Sequence, residues 1–270
     1  MTAVDIQHIT HFYGNRPVLD DISLSIRTGT FFTILGPNGS GKTTLMKTIS
    51  GIENPQTGLV KIMGRPLQNY TRKNLAKTIA FLPQTIPVDF QFTVTELILM
   101  GRAPHQGILG LEDQNDLKIA DEAMKFVGVE HLAERRLDRL SGGERQRIYI
   151  AKALCQEPRI ILLDEPTASL DLAHQIHIMD LMERLKTEKG VTVVMVSHDV
   201  NLAAMYAECL LLLKEGKIVK TGSPNDVLTK HTLEKTYDCT LFIDKNPLGD
   251  FPRVALVPNK FKDKQEKDLG

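Results

Sequence analysis

The sequence predicts an α/β fold: a parallel-sheet core preceded by antiparallel strands, with a helical subdomain inserted into it. Three observations predict it. Apolar runs such as Phe31-Phe32-Thr33-Ile34-Leu35, Arg159 to Leu163, Val191 to Val196 and Leu210 to Leu213 are too continuous for a sheet with one wet face. They suit parallel strands covered on both sides. Ahead of them, Val4, Ile6 and Ile9, then Ile22, Leu24 and Ile26, alternate with polar residues as half-buried strands do. From about Thr93 to Leu154 that alternation gives way to helical periodicity.

The elements follow in chain order. Two alternating strands flank the turn His11-Phe12-Tyr13-Gly14-Asn15. The run Phe31 to Leu35 ends at Gly36, and Lys42 to Ser50 is helix-permissive and stopped by Gly51, which reads as strand, glycine loop, helix. Thr78 to Leu82 is a further buried strand. Thr93-Val94-Thr95-Glu96 is a capping box that opens a helix, and Asp116 to Val127 places Leu117, Ala120, Met124 and Val127 on one face. The predicted boundaries are one domain over residues 1–258, its core at 1–90 and 155–258 and its helical subdomain at 91–154. Residues 259–270, rich in Lys, Asp, Glu and Gln, are expected to stay unfolded.

Composition narrows the function classes. With 270 residues, 42% hydrophobic and 24% charged, the chain is an ordinary globular protein with enough length for a real core. Lys plus Arg and Asp plus Glu both count 33, so no net positive field draws it onto nucleic acid or an anionic membrane. Three scattered cysteines, Cys155, Cys209 and Cys239, argue against a disulfide framework and a zinc site and for a reducing compartment. The N-terminus lacks the apolar stretch of a signal peptide, and the densest apolar run, Cys209 to Leu213, is far short of the about 20 residues a spanning helix needs. A membrane function would need other chains to supply the spans.

Gly36-Pro37-Asn38-Gly39-Ser40-Gly41-Lys42-Thr43 satisfies GxxxxGK[ST] between a strand and a helix, and Thr44 completes the nucleotide-binding set. Glycines let successive N–H groups converge on phosphate oxygens, and the helix adds its positive end. Lys42 would neutralise the outer phosphates of ATP and the Thr43 hydroxyl would ligate Mg²⁺. Ile160-Ile161-Leu162-Leu163-Asp164-Glu165 delivers two carboxylates at the end of a strand, where open α/β sheets bind ligands. Asp164 is the candidate Mg²⁺ ligand and Glu165 the candidate general base. Ser141, before Gly142 and Gly143, opens a helix whose hydroxyl, N–H groups and dipole favour a phosphate.

Leu140-Ser141-Gly142-Gly143-Glu144-Arg145-Gln146-Arg147 resembles the signature motif of the ABC (ATP-binding cassette) ATPases, in its usual place between the phosphate loop and the acidic strand. Other elements resemble that family in order, from Val4 to about Gly222. Tyr13 matches the adenine-stacking aromatic, Gln84 the Q-loop, Ser169-Leu170-Asp171 the D-loop and His198 the switch histidine. The resemblance implies a P-loop NTPase with a RecA-like core, catalytic Glu165, His198 and Gln84, and Gln84 beside Mg²⁺. It also implies that Ser141 and Gly143 cap nucleotide held by a second copy, sandwiching two ATP molecules in a homodimer. Taken singly, these residues have plainer readings. Tyr13 packs in a turn, Gln84 and His198 are hydrogen-bonded strand ends, Ser141 only caps a helix, and His174 and His177 lie on a solvated helix face more readily than on a metal.

Thr93 to His105, with its Gly101-Arg102-Ala103-Pro104-His105 element, is similar to the stretch after the Q-loop in ATPases of type II importers of siderophore-iron, haem and cobalamin. That implies a peripheral protein on the cytoplasmic face of the cell membrane, working with permease subunits and a periplasmic or extracellular substrate-binding protein. The segment from Thr93 to His105, with Gln84, is expected to dock the permease, Arg102 and His105 facing it. Alternatives are an ABC ATPase for another substrate, one acting on nucleic acid, and a regulator without catalysis. The uninterrupted single cassette and zero net charge disfavour the nucleic-acid reading, and Glu165 disfavours the regulator.

Overall fold

The computed structural model describes residues 1–85, 91–107, 111–168 and 170–261. Strands β1 (Thr2–Tyr13) and β2 (Arg16–Arg27) form a hairpin that continues into β4 (Thr57–Ile62) and β5 (Arg65–Pro66), in the sheet order β2-β1-β4-β5. Ile6 pairs with Leu24 and Ile9 with Ile22, so β1 spends three residues where β2 spends two. His8, at φ 50°, is part of this bulge, which keeps both isoleucines on the inner face despite their odd spacing.

The larger sheet takes β3 (Phe31–Leu35), β6 (Ile79–Leu82), β7 (Ile160–Asp164), β8 (Thr192–Val196), β9 (Cys209–Lys214) and β10 (Lys217–Gly222) in the order β10-β9-β3-β8-β7-β6. All neighbours are parallel except β10, which folds back on β9. Its apolar runs divide residue by residue. Phe31, Ile161, Leu163, Val193 and Met195 enter one core, and Phe32, Ile34, Ile160, Leu162, Val194 and Val196 the other. Each strand is covered twice, as its unbroken hydrophobicity requires.

Helices α1 (Lys42–Ile49) and α2 (Arg72–Ala76) lie before β6. Between β6 and β7 the described residues form no strand, only an isolated bridge of Thr93 with Arg136 and the helices α3 (Val94–Leu99), α4 (Gln114–Val127) and α5 (Gly142–Cys155). The expected capping box at Thr93 and Glu96 is present. The expected apolar face of α4 needs correction. Leu117 is exposed and the buried face is Asp116, Ala120, Ala123, Met124 and Val127. Arg102 draws Asp116 inward: its Nε donates to Asp116 Oδ1 at 2.8 Å, and its Nη1 donates to the Cys155 carbonyl and to Glu157 Oε2, both at 2.7 Å.

That network also corrects the docking expectation. Arg102 is 3% exposed and ties α4 to the turn between α5 and β7, so it presents no guanidinium to a partner. His105 is half-buried with its Nε2 2.9 Å from the Gln156 carbonyl.

After β7 come α6 (Leu172–Lys189), α7 (Val200–Tyr206), α8 (Pro224–Val227) and α9 (Lys230–Tyr237), then a hairpin of β11 (Leu241–Lys245) and β12 (Pro252–Leu256) absent from the sequence reading. Asn201 on α7 grips β12, donating to the Val254 carbonyl at 3.0 Å and accepting its N–H at 2.8 Å. The expected unfolded stretch opens with a 3₁₀ turn at Asn259–Phe261, and residues 262–270 lie outside the described residues. Among the described residues no helix is long and apolar enough to cross a membrane.

Removing Arg102 strands a buried carboxylate, and breaking a buried pair costs about 3–5 kcal/mol. Arg102→Ala is therefore expected to lower the thermal midpoint by several degrees or more in calorimetry. Arg102 also holds the Asp116 carboxyl below its ordinary 3.8 through their hydrogen bond. Stability from this pair is present at neutral pH and is lost as pH falls through and below that value, a loss the variant should not display.

Candidate active site

The chain leaves β3 at Leu35 and turns at Gly36, whose φ is +151°. A Cβ there would stand 2.1 Å from the Leu213 carbonyl oxygen, so no other residue fits without moving β9. The loop ends on Gly41, left-handed at φ +104°, which is the N-cap of α1 and offers no side-chain acceptor. The contrast with the other helices is informative. Each of the eight other described α-helices takes an N-cap hydrogen bond, from Thr71, Thr93, Asp113, Ser141, Asp171, Asp199, Ser223 or Thr229. Among the described residues, α1 alone keeps its N-terminal N–H groups and its dipole end uncapped, as an anion site requires.

Lys42 folds over this loop, its Nζ donating to the carbonyls of Gly36 at 2.9 Å and Pro37 at 3.0 Å. It is 5% exposed, and burial lowers its pKa against the opposing pull of Glu165 and Asp164. Ser40 Oγ is buried without a partner.

β7 brings the two acids to the same edge. Asp164 is 2% exposed, and burial raises its carboxyl pKa, opposed by the Thr43 hydroxyl and Lys42 and reinforced by Glu165. Its Oδ1 has no partner. A buried anionic oxygen beside a hydroxyl is a donor set suited to a hard divalent cation. Glu165 takes the left-handed conformation at φ 53°, which turns its side chain away from the strand direction, and its N–H donates to the Val196 carbonyl at 3.2 Å. Its carboxylate is held from both sides: Gln84 Nε2 donates to Oε2 at 2.6 Å, and His198 Nε2 lies 2.5 Å from Oε1. Facing a carboxylate, that ring nitrogen is the donor.

Gln84, Glu165, His198, Lys42, Thr43 and Thr44 line one cleft of about 600 Å³ with Asn38, Gly39 and Gly41. Strands β6, β7, β8 and β3 are parallel neighbours, so their C-terminal ends open on it together. Val18 of β2 also lines the cleft, and nothing in its sequence context signals that.

Other expected site residues are placed apart from this lining. Tyr13 is half-exposed at the end of β1, its ring edge-on to His11 at 4.9 Å and its hydroxyl 3.3 Å from Glu53 Oε1. Ser141 caps α5 in a reciprocal box with Glu144, followed by Gly142 and Gly143, and Asp171 caps α6. Ser169 lies outside the described residues. His174 and His177 meet edge to face, and among the described residues no group of three or more His, Cys, Asp or Glu could hold a metal.

Residues 19–168 match the family model described as ABC transporter. The chain belongs to the ABC transporter ATPase family. Its members hydrolyse ATP to power transport, and the chain is an ATP-binding enzyme of that kind. The chain is 38% identical to the iron(3+)-hydroxamate import ATP-binding protein FhuC of Bacillus subtilis over 98% of both chains. It is 43% identical to the hemin import ATP-binding protein HmuV of Gloeobacter violaceus over 89% of both. Among solved structures it resembles an ABC transporter assigned to the metal-chelate type, in an inward-facing conformation, with a TM-score of 0.85 and 29% identity over 96% of this chain and 99% of that one. It also resembles the dimeric cassette MJ0796 bound to ADP and Pi, with a TM-score of 0.72 and 32% identity over 82% and 98%.

In this ATPase, Asp164→Asn replaces an ion disfavoured by burial with a neutral isostere. The thermal midpoint measured without ligand is expected to hold or rise by a few degrees. The rise that MgATP gives the native protein should disappear in the variant, since the buried anionic oxygen is gone.

Proposed function

We propose that this chain is the ATP-hydrolysing subunit of an importer for a metal chelate of the siderophore-iron, haem or cobalamin class. The observation that carries the catalytic part is the Glu165 carboxylate, clamped between Gln84 and His198 in the cleft that the uncapped end of α1 opens on. The chelate class is supported by the named import functions of the relatives and by the resemblance of Thr93 to His105.

ATP places its phosphates on the N–H groups from Asn38 to Thr44, where Lys42 exchanges its bonds to the Gly36 and Pro37 carbonyls for the outer phosphate oxygens. Thr43, Asp164 and Gln84 would hold Mg²⁺, which would supply charge neutralisation for the outer phosphates. Glu165 orients a water and takes its proton as the water oxygen attacks the γ-phosphorus and the bond to the β-phosphate oxygen breaks. His198 donates to Glu165 and keeps its carboxylate aimed, and Gln84 holds the opposite oxygen. Tyr13 stacks on the adenine. Ser141, Gly142, Gly143 and Asp171, which do not line this cleft, serve the cleft of a second copy, so two ATP molecules lie in a two-fold dimer. The dimer works at the cytoplasmic face of the membrane with permease subunits and an external substrate-binding protein, the region of Gln84 and α3 facing the permease.

Glu165→Gln is expected to bind MgATP and to hydrolyse it about 10² to 10⁴-fold more slowly in a steady-state phosphate-release assay. Turnover within about threefold of wild type removes Glu165 from the base role. Mixed dimers test the shared sites: with Lys42→Ala in one protomer and Ser141→Arg in the other, one site should carry both lesions and the other neither, leaving about half the activity. Purification from detergent-solubilised membranes should recover a polytopic permease, and deletion of the gene should abolish uptake of one class of chelate. Uptake that survives for all three classes overturns the cargo assignment.

A further inference from the structure

Gly143 has no positive φ to demand glycine, but a neighbouring ring stands where its side chain would be. A Cβ built on it would stand 2.3 Å from Cδ2, 2.8 Å from Nε2 and 3.0 Å from Cγ of His174, so the imidazole lies directly against the glycine Cα. The same ring reaches the other way. Its Nδ1 is 2.7 Å from Asp171 Oδ1, the oxygen that also accepts the His174 backbone N–H at 2.9 Å. These bonds, the backbone one first, hold the Asp171 carboxyl below its usual range, so it is an ionised acceptor and Nδ1 carries the proton.

One side chain thus touches the first residues of two helices. Gly143 lies in the first turn of α5 and Asp171 caps α6, while along the chain they are separated by all of α5, β7 and the following turn. Two helix N-termini brought side by side carry like partial charges and resist approach. A ring seated on a bare Cα and bonded to a capping carboxylate sets their separation by contact on one side and by a hydrogen bond on the other.

We propose that His174 is a positioning residue that locks the N-terminus of α5 to that of α6, so that Ser141 to Gly143 and Asp171 meet a second copy of this chain as one rigid surface. The proposal rests on the two-copy reading above. It adds that Gly143 is glycine to admit His174, and that the spacing of His174 and His177 reflects this contact and a ring pair.

The test is a double-mutant cycle on the full chain. Thermal unfolding of Gly143→Ala, His174→Ala and the double variant reads the link without any partner: the added methyl should lower the midpoint by several degrees beside the ring and by little beside alanine. Dimerisation under MgATP is then followed by light scattering in the Glu165→Gln background, where nucleotide persists. His174→Ala should raise the protein concentration at half-dimerisation about tenfold and leave the nucleotide affinity of the monomer within about twofold. A purely local packing role would move the midpoint and not this split. Additive midpoints, or unchanged dimerisation, overturn the role of His174. A Glu165→Gln protein that stays monomeric under MgATP while the cycle is non-additive overturns instead the two-copy reading, and with it the purpose given to the lock.

Discussion

The uncapped N-terminus of α1 is the constraint on which the rest of the site depends. Every other described α-helix closes its first turn with an N-cap side chain, so the fold has ready means of satisfying such groups. Leaving α1 open has a cost that an anion offsets. That choice dictates the glycines before it, because a loop that aims successive N–H groups at one point must pass under β9, where Leu213 leaves no room for a side chain at Gly36. It also dictates what stands opposite: a buried cation, Lys42, and the carboxylates at the end of β7 that balance it.

Burial does different work on the two acids. Asp164 stays in line with β7 and sinks to 2% exposure with one oxygen unsatisfied. Glu165 escapes by its left-handed backbone, which costs of order 1 kcal/mol for a non-glycine residue and is typical of functional sites. Its carboxylate is then fixed by groups from the ends of β6 and β8. Adjacent residues of one strand acquire separate chemistry through one backbone angle.

The sheet, the phosphate loop and the acidic pair were legible because continuous apolar runs and glycine spacing are local signals. The capping box at Thr93 and the helix cap at Ser141 were legible for the same reason. Strand β4, the edge strands β5 and β10 and the β11–β12 hairpin escaped because their residues are mixed and in part exposed, and their pairing is decided by partners elsewhere in the chain. Arg102 was misplaced for a related reason. A motif names residues but not the direction they point, and a guanidinium enters a core only when distant carboxylates such as Asp116 and Glu157 wait there. Leu117 and Asp116 exchanged sides as a consequence, an inversion that periodicity alone does not foresee. The contact between Gly143 and His174 links residues from separate helices and leaves no mark in either local pattern.

The grip of Asn201 on Val254 bears on the order in which the molecule becomes complete. Asn201 lies in the first turn of α7, three residues after His198, so one brace of that helix comes from strand β12, about fifty residues later in synthesis. A ribosome-bound chain can assemble β3, α1, β8 and β7 while β12 is still within the exit tunnel. In that interval the glycine loop is formed, but the histidine end of the site stands on a helix without its outer brace. A chain that has not yet formed β12 therefore presents its phosphate loop before it presents a braced histidine.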